Sequence, residues 1–205
     1  MRPGLVLLAG PNGAGKSTLY QTRVAPSFAG PFINADLIQR DELKDPSMEA
    51  SYQAARIAAE RRAALLEARK SFATETVFSH PSKLDVITDA RARGYMVIVM
   101  HVGVDDPDLS VARVRARTDE GGHDVPEQKI RDRYRRSQPL IRQAVLQADR
   151  GMVFDNSRLN EPPRLMALFA AGRLLRAEPE LPDWVLTTYA DDLGIWFGPA
   201  DAAPL

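Results

Sequence analysis

Leu5-Val6-Leu7-Leu8-Ala9-Gly10-Pro11-Asn12-Gly13-Ala14-Gly15-Lys16-Ser17-Thr18 is the stretch that decides the fold. An apolar run of strand length meets a segment of the form G-x-x-x-x-G-K-[ST], the phosphate-binding P-loop, and a helix is expected to follow from Lys16. The glycines let backbone N–H groups converge on phosphate oxygens, where a side chain would obstruct them. Lys16 supplies a mobile charge for the β- and γ-phosphates. Ser17 offers a hydroxyl to Mg²⁺, and the helix turns its positive N-terminus towards the anion. Gly10 to Thr18 are therefore expected to hold a nucleoside triphosphate, with Lys16 also serving catalysis.

Outward from the loop, short apolar runs alternate with amphipathic stretches, the pattern of a parallel α/β sheet. Strands are expected at 5–9, 31–34, 71–75, 95–102 and 152–155. Runs such as Met96-Val97-Ile98-Val99-Met100 are apolar on both faces, as buried parallel strands are. Helices are expected after Lys16 and at 48–70, 82–93, 108–118 and 127–148. The fold class is thus an α/β P-loop NTPase or kinase fold: a central parallel sheet flanked by helices, with an arginine-rich lid. Residues 1–160 are expected to form the core, with the lid at about 105–137. Residues 161–205 form a C-terminal extension packed on it, with a helix near 163–170, a strand at 173–177 and a segment around Trp184.

Composition narrows the function. The chain of 205 residues has 27 basic and 27 acidic side chains and a formal net charge of zero, which argues against bulk attraction to nucleic acid or an anionic membrane. There is no cysteine, so disulfides, thiolate metal sites and cysteine nucleophiles are excluded. Three histidines do not suggest structural zinc. The first apolar run is too short to span a membrane and lacks the layout of a signal peptide, so a cytoplasmic location is expected.

Ligands of open α/β sheets sit beyond the carboxyl ends of the strands. The second strand ends in Asn34-Ala35-Asp36 and the third in Thr74-Glu75-Thr76. A kinase needs one carboxylate to orient and deprotonate the acceptor hydroxyl and further oxygens around Mg²⁺; Asp36 is the candidate base, and Glu75 with Ser17 the metal candidates. Two plain readings stand beside these. Asp36 and Gln39 match a capping box for the next helix, and Glu75 can be a solvated strand end. Asp105 and Asp106 are rival metal ligands, and Asp155-Asn156-Ser157 is placed to line the nucleotide base, with Asn156 as the binding candidate.

Arginine is dense between Arg113 and Arg136, on both sides of the loop Gly121-Gly122-His123-Asp124-Val125-Pro126. Guanidinium groups on a closing lid can neutralise a phosphoryl group in transit. Arg117, Arg133 and Arg136 are the candidates, while interleaved acids mark many of the others as a solvated, salt-bridged face.

In order along the chain, Gly10–Thr18, Ile33–Asp36, Ala73–Thr76, Gly94-Tyr95, Gly121–Pro126, Arg133–Ser137 and Asp155–Ser157 resemble the zeta-toxin family of P-loop kinases. The resemblance implies an ATP-dependent kinase. In the best-known members the acceptor is the 3′-hydroxyl of the amino sugar in UDP-N-acetylglucosamine, and a helical antitoxin restrains the enzyme. It implies Asp36 as the base, Glu75 in the Mg²⁺ and substrate shell, and lid arginines bridging the phosphates. The cofactors expected are ATP, in preference to GTP, and Mg²⁺. The partners expected are a small-molecule acceptor such as a UDP-sugar and an antitoxin protein, without membrane or nucleic acid. Two alternatives stay open: a P-loop switch or ATPase acting through partner binding, and a polynucleotide 5′-kinase. An ABC-type ATPase is disfavoured, since neither an LSGGQ-like signature nor a strand ending in Asp-Glu is present.

Overall fold

The computed structural model describes residues 2–119 and 126–194, with the side chains of 117–119 outside that description. Seven strands form one sheet in the order β2-β3-β1-β4-β5-β6-β7. β1 (Gly4–Ala9) lies between β3 (Phe72–Thr76) and β4 (Met96–Gly103), all parallel. β2 (Phe32–Ile33) and β5 (Arg150–Asp155) extend the parallel part on either side. Each of these strands is reached by a crossover containing helix, as parallel neighbours require. Leu5, Leu7, Ala9, Val97, Val99 and Val153 face one buried layer, and Val6, Leu8, Met100, Val102 and Phe154 the other. β1 is covered on both faces, so its near-continuous apolar character follows from its central place.

The sheet is not wholly parallel. Residues 164–170, expected as helix, form β6 (Arg164–Ala170), which pairs antiparallel with β5, and β7 (Arg173–Ala177) pairs antiparallel with β6. Leu, Met and Ala favour a helix in isolation. Here the edge of β5 and the buried face taken by Met166, Ala167 and Phe169 outweigh that preference. The C-terminal segment therefore continues the sheet.

Helices fill the crossovers. α1 (Lys16–Leu19) follows the P-loop and widens into a π turn at Tyr20–Val24. α2 (Ala35–Leu37) follows β2 and runs into a second π turn, Ile38–Leu43. α3 (Met48–Glu67) is capped by the Ser47 hydroxyl, which accepts from Ala50 N at 3.1 Å. α4 (Asp85–Ala92), α5 (Pro107–Asp119), α6 (Glu127–Gln147) and α7 (Asp183–Leu193) complete the set.

α7 is tied to the strand ends. Trp184 donates its indole N–H to Asp155 Oδ1 (2.9 Å), and Tyr189 shares a 2.8 Å hydrogen bond with His101 Nδ1. His101 is fully buried, its Nε2 has no hydrogen-bond partner among the described residues, and burial pushes its pKa down to about 3. It stays neutral and acts as scaffold. Among the described residues no helix is long and apolar enough to cross a membrane.

Candidate functional site

The loop between β1 and α1 has the backbone that a phosphate cradle needs. Gly13 and Gly15 sit at φ 76° and 92°, where L side chains are strained. A Cβ on Gly13 would lie 2.6 Å from Ser110 O, and one on Gly15 would lie 2.3 Å from Asn156 Nδ2. Asn156 also donates to Ala14 O at 2.9 Å, so it clamps the loop from the end of β5 as well as lining the space beside it. Lys16 is buried, donates to Pro11 O at 3.0 Å and lies 3.8 Å from Glu75 Oε1.

β3 delivers Glu75 to the other side of the loop. Its Oε2 accepts from Ser17 Oγ at 2.8 Å and from Asn34 Nδ2 at 3.1 Å. Asn34 is buried at the end of β2, with extended backbone, and its Oδ1 accepts from Asp36 N (2.8 Å) and Leu37 N (3.4 Å). Asn34 is therefore the N-cap of α2. The capping-box reading of Asp36 fails: Gln39 instead donates to the carbonyls of Asp45 and Ser47. Relieved of capping, the Asp36 carboxylate accepts no hydrogen bond among the described residues.

Two cavities meet at this point and share Gly13, Lys16, Asn34, Asp36 and Glu75. The larger, about 700 Å³, runs along Gly15–Thr18 to Arg113 and Asn156. The smaller, about 310 Å³, lies between α3 and the strand ends, lined by Ser51, Tyr52, Ala55, Ala58 and Arg62 of α3 together with Lys83 and Arg133. Both volumes suit small-molecule ligands.

Arg133 lines the smaller cavity beside the P-loop residue Asn12. Its Nη1 donates to Asn12 Oδ1 at 3.2 Å, burial and Arg136 lower its pKa, and the Asp36 charge opposes that fall. The neighbouring Tyr134 fixes it in place by donating to Val104 O at 2.6 Å and to Asp105 O at 3.1 Å; burial first of all raises that phenol to about 12, so it remains a donor. Arg136 is exposed and lines neither cavity. The side chain of Arg117, and the loop with His123, lie outside the described residues. Arg113 is the arginine that sequence reasoning passed over: it lines the nucleotide-side cavity and donates to Asn156 O at 2.8 Å. Its place nearly two turns into the helix after β4 was the available signal.

The rival acids are otherwise engaged. Asp106 accepts from Asp108 N at 2.7 Å, which starts α5, and Asp155 is buried with Ser157 and Trp184. Burial first, and then Asp155, raises the pKa of Asp105, which lines neither cavity. For Mg²⁺ the hard oxygens of Ser17 and Glu75, held 2.8 Å apart beside the loop, are a fitting pair. That ion binds through one or two protein oxygens together with phosphates and water. Among the described residues no cluster of three or more His, Asp or Glu side chains forms an all-protein cage.

A P-loop on the parallel part of a mixed sheet, with carboxyl and amide groups at the ends of β2 and β3, defines the class: a P-loop kinase fold. The particular family follows from the sequence match, since the Zeta toxin family model covers residues 1–161, and the chain belongs to that family. Its family and fold are those of P-loop phosphotransferases. A Haemophilus influenzae protein of undescribed function is 27% identical over 143 residues, which are 65% of this chain and 94% of that one. The AvrRxo1-ORF1:-ORF2 complex with ATP superposes with a TM-score of 0.67 at 15% identity, over 86% of this chain and 61% of that one. This chain thus spans under two thirds of its length. The PezAT chromosomal toxin–antitoxin system of Streptococcus pneumoniae gives 0.56 at 17% identity, over 77% and 68%. At such identities the structures establish the fold.

Proposed function

We propose that the protein transfers the γ-phosphoryl group of ATP to a hydroxyl of an acceptor seated against α3, with Asp36 as the base. One observation carries the reading: Asp36 lines both cavities, and Asn34 has taken over the capping work that would otherwise occupy its carboxylate. In this reading the backbone of Gly10 to Gly15 and Lys16 bind the triphosphate, and Thr18, Arg113 and Asn156 border it. Ser17 and Glu75 would hold Mg²⁺, which on binding offsets phosphate charge. Asp36 orients the acceptor O–H and takes its proton as the oxygen bonds to phosphorus and the bond to the ADP oxygen breaks. Arg133, between Asn12 and Asp36, stabilises the phosphoryl group as charge spreads over its oxygens.

UDP-N-acetylglucosamine is the acceptor proposed from the family resemblance, and an antitoxin-type protein is the proposed partner, as for the PezAT toxin–antitoxin system. Incubation with γ-labelled ATP, Mg²⁺ and a panel of UDP-sugars, dinucleotides and RNA 5′ ends tests the reading. A labelled UDP-sugar is the expected result. Label on RNA ends would replace the acceptor class, and phosphate release unaffected by any acceptor would sink the kinase reading.

A further inference from the structure

The acceptor-side cavity has a second, cationic end that phosphoryl transfer does not use. α3 lines it along a single face, from Tyr52 near the mouth to Arg62, and Lys83, on the short turn Pro81–Lys83 after β3, joins Arg62 there. Ten residues of helix separate Tyr52 from Arg62, about 15 Å along the axis. The small side chains of Ala55 and Ala58 between them, and of Ser51 beside Tyr52, leave the trough open.

Both cations are half-buried, and among the described residues neither has a carboxylate or hydrogen-bond partner. Arg61, one position away, shows the ordinary solution: it points outward into a two-pronged pair with Glu42, at 2.6 Å for each contact. Burial lowers the pKa of Arg62, and burial and then Arg62 lower that of Lys83. Two like charges held together without an anion cost free energy unless something else supplies the counter-charge. Within this cavity Asp36 and Glu75 are the only carboxylates among the described residues, and both belong to the transfer end.

We propose that Arg62 and Lys83 form a seat for an anionic group of the acceptor, a phosphate, diphosphate or carboxylate carried at the far end from the hydroxyl that reacts. The seat rests on the kinase reading above for its location and extends it to the substrate: the acceptor is a phosphorylated or carboxylated alcohol, and its uncharged parent alcohol is a poor substitute. Tyr52 and Met48, exposed by 68% and 60%, offer a ring and an apolar side chain at the end of the trough opposite Arg62.

Inorganic pyrophosphate titrated into the whole protein, with the P-loop first saturated by a non-hydrolysable ATP analogue and Mg²⁺, is the direct test. One further pyrophosphate site is expected. The double variant Arg62→Met, Lys83→Met should weaken it about 30-fold or more, as loss of contacts to a charged group predicts. The exchange Arg62→Lys, Lys83→Arg should keep it within about fivefold, because the charges remain. Should the double methionine variant fail to fold, Lys83→Met alone, on a turn outside the main core, should still weaken binding about tenfold.

Undiminished binding in the methionine variants overturns the seat, as does the absence of any pyrophosphate site once the P-loop is filled. A parallel transfer assay separates this from the kinase reading. A protein that loses pyrophosphate binding in the methionine variants, yet passes no label from ATP to any acceptor, keeps the seat and loses the kinase reading. A protein that labels glycerol as well as glycerol 3-phosphate, and N-acetylglucosamine as well as its UDP conjugate, keeps the kinase and loses the seat.

Discussion

The two cavities that meet at Asp36 are built by opposite means. The nucleotide side is organised by backbone: nine consecutive residues, Gly10 to Thr18, shape the loop, with glycines at positive φ where a Cβ would strike Ser110 or Asn156, and side chains such as Arg113 and Asn156 border it. Beyond the shared residues, the acceptor side is built mainly of side chains: one face of α3, the turn after β3, and Lys129 and Arg133 of α6. A backbone site recognises what every nucleoside triphosphate shares. A side-chain site can be altered one residue at a time, and specificity belongs there.

Lys16→Ala should separate the two sides most severely. ATP affinity is expected to fall at least about 100-fold, from loss of the charged contact to the β- and γ-phosphates, as read by nucleotide titration. If ATP still binds normally, the backbone cradle suffices and the loop's lysine serves transfer alone. Asp36→Ala is the complementary cut. Transfer to the acceptor should drop by about 10²–10⁴-fold, the usual contribution of a positioned base, with ATP affinity held within a few fold. Transfer that survives the substitution would place the base elsewhere in the shared region.

The scaffold behind the site gives a third effect. The buried His101 has its pKa lowered to about 3 from 6.5, so between those values the unfolded chain binds a proton that the folded chain refuses. Stability contributed by this group is therefore complete above pH 6.5 and is lost as pH falls towards 3. At pH 5 the loss is about 2 kcal/mol, and His101→Gln should flatten that part of the curve in urea titrations at a series of pH values. An unchanged slope would show that His101 is protonated inside the fold. Tyr52→Ala is the mildest test. Removal of an exposed ring at the mouth should raise the acceptor KM by several-fold, about 1 kcal/mol, with kcat and the KM for ATP little changed. An equal rise in the KM for ATP would mean that the two cavities are not separate subsites.

The same contrast explains what could be read from the sequence. The P-loop was legible because its phosphate cradle lies within nine consecutive residues, most with a stereochemical reason for their identity. The strands β1, β4 and β5 were legible because both faces are buried. Asp36 was ambiguous for a local reason: Asn34 and Asp36 are both good N-caps two positions apart, and the end of β2 decides between them by leaving Asn34 extended. Residues 164–170 misled because a short apolar run of helix-forming residues has no period that marks it as a strand. The acceptor cavity could not be read at all. Its face of α3 becomes a lining only once α3 lies across the strand ends, and Arg62 looks like any helix arginine until Arg61 is seen to hold the outward place.

Asn34 does two jobs with one amide: its oxygen starts the helix that carries Asp36, and its nitrogen holds Glu75 beside Ser17. The proposed base and the proposed metal carboxylate are thereby set as a single unit, independent of whatever occupies the trough on α3. Mutational drift can then proceed on two tracks. Substitutions along α3 redraw the list of acceptors while the chemistry stays intact, whereas a change at Asn34 disturbs the chemistry for every acceptor at once. A fold wired in this way can diversify its targets without reinventing its reaction.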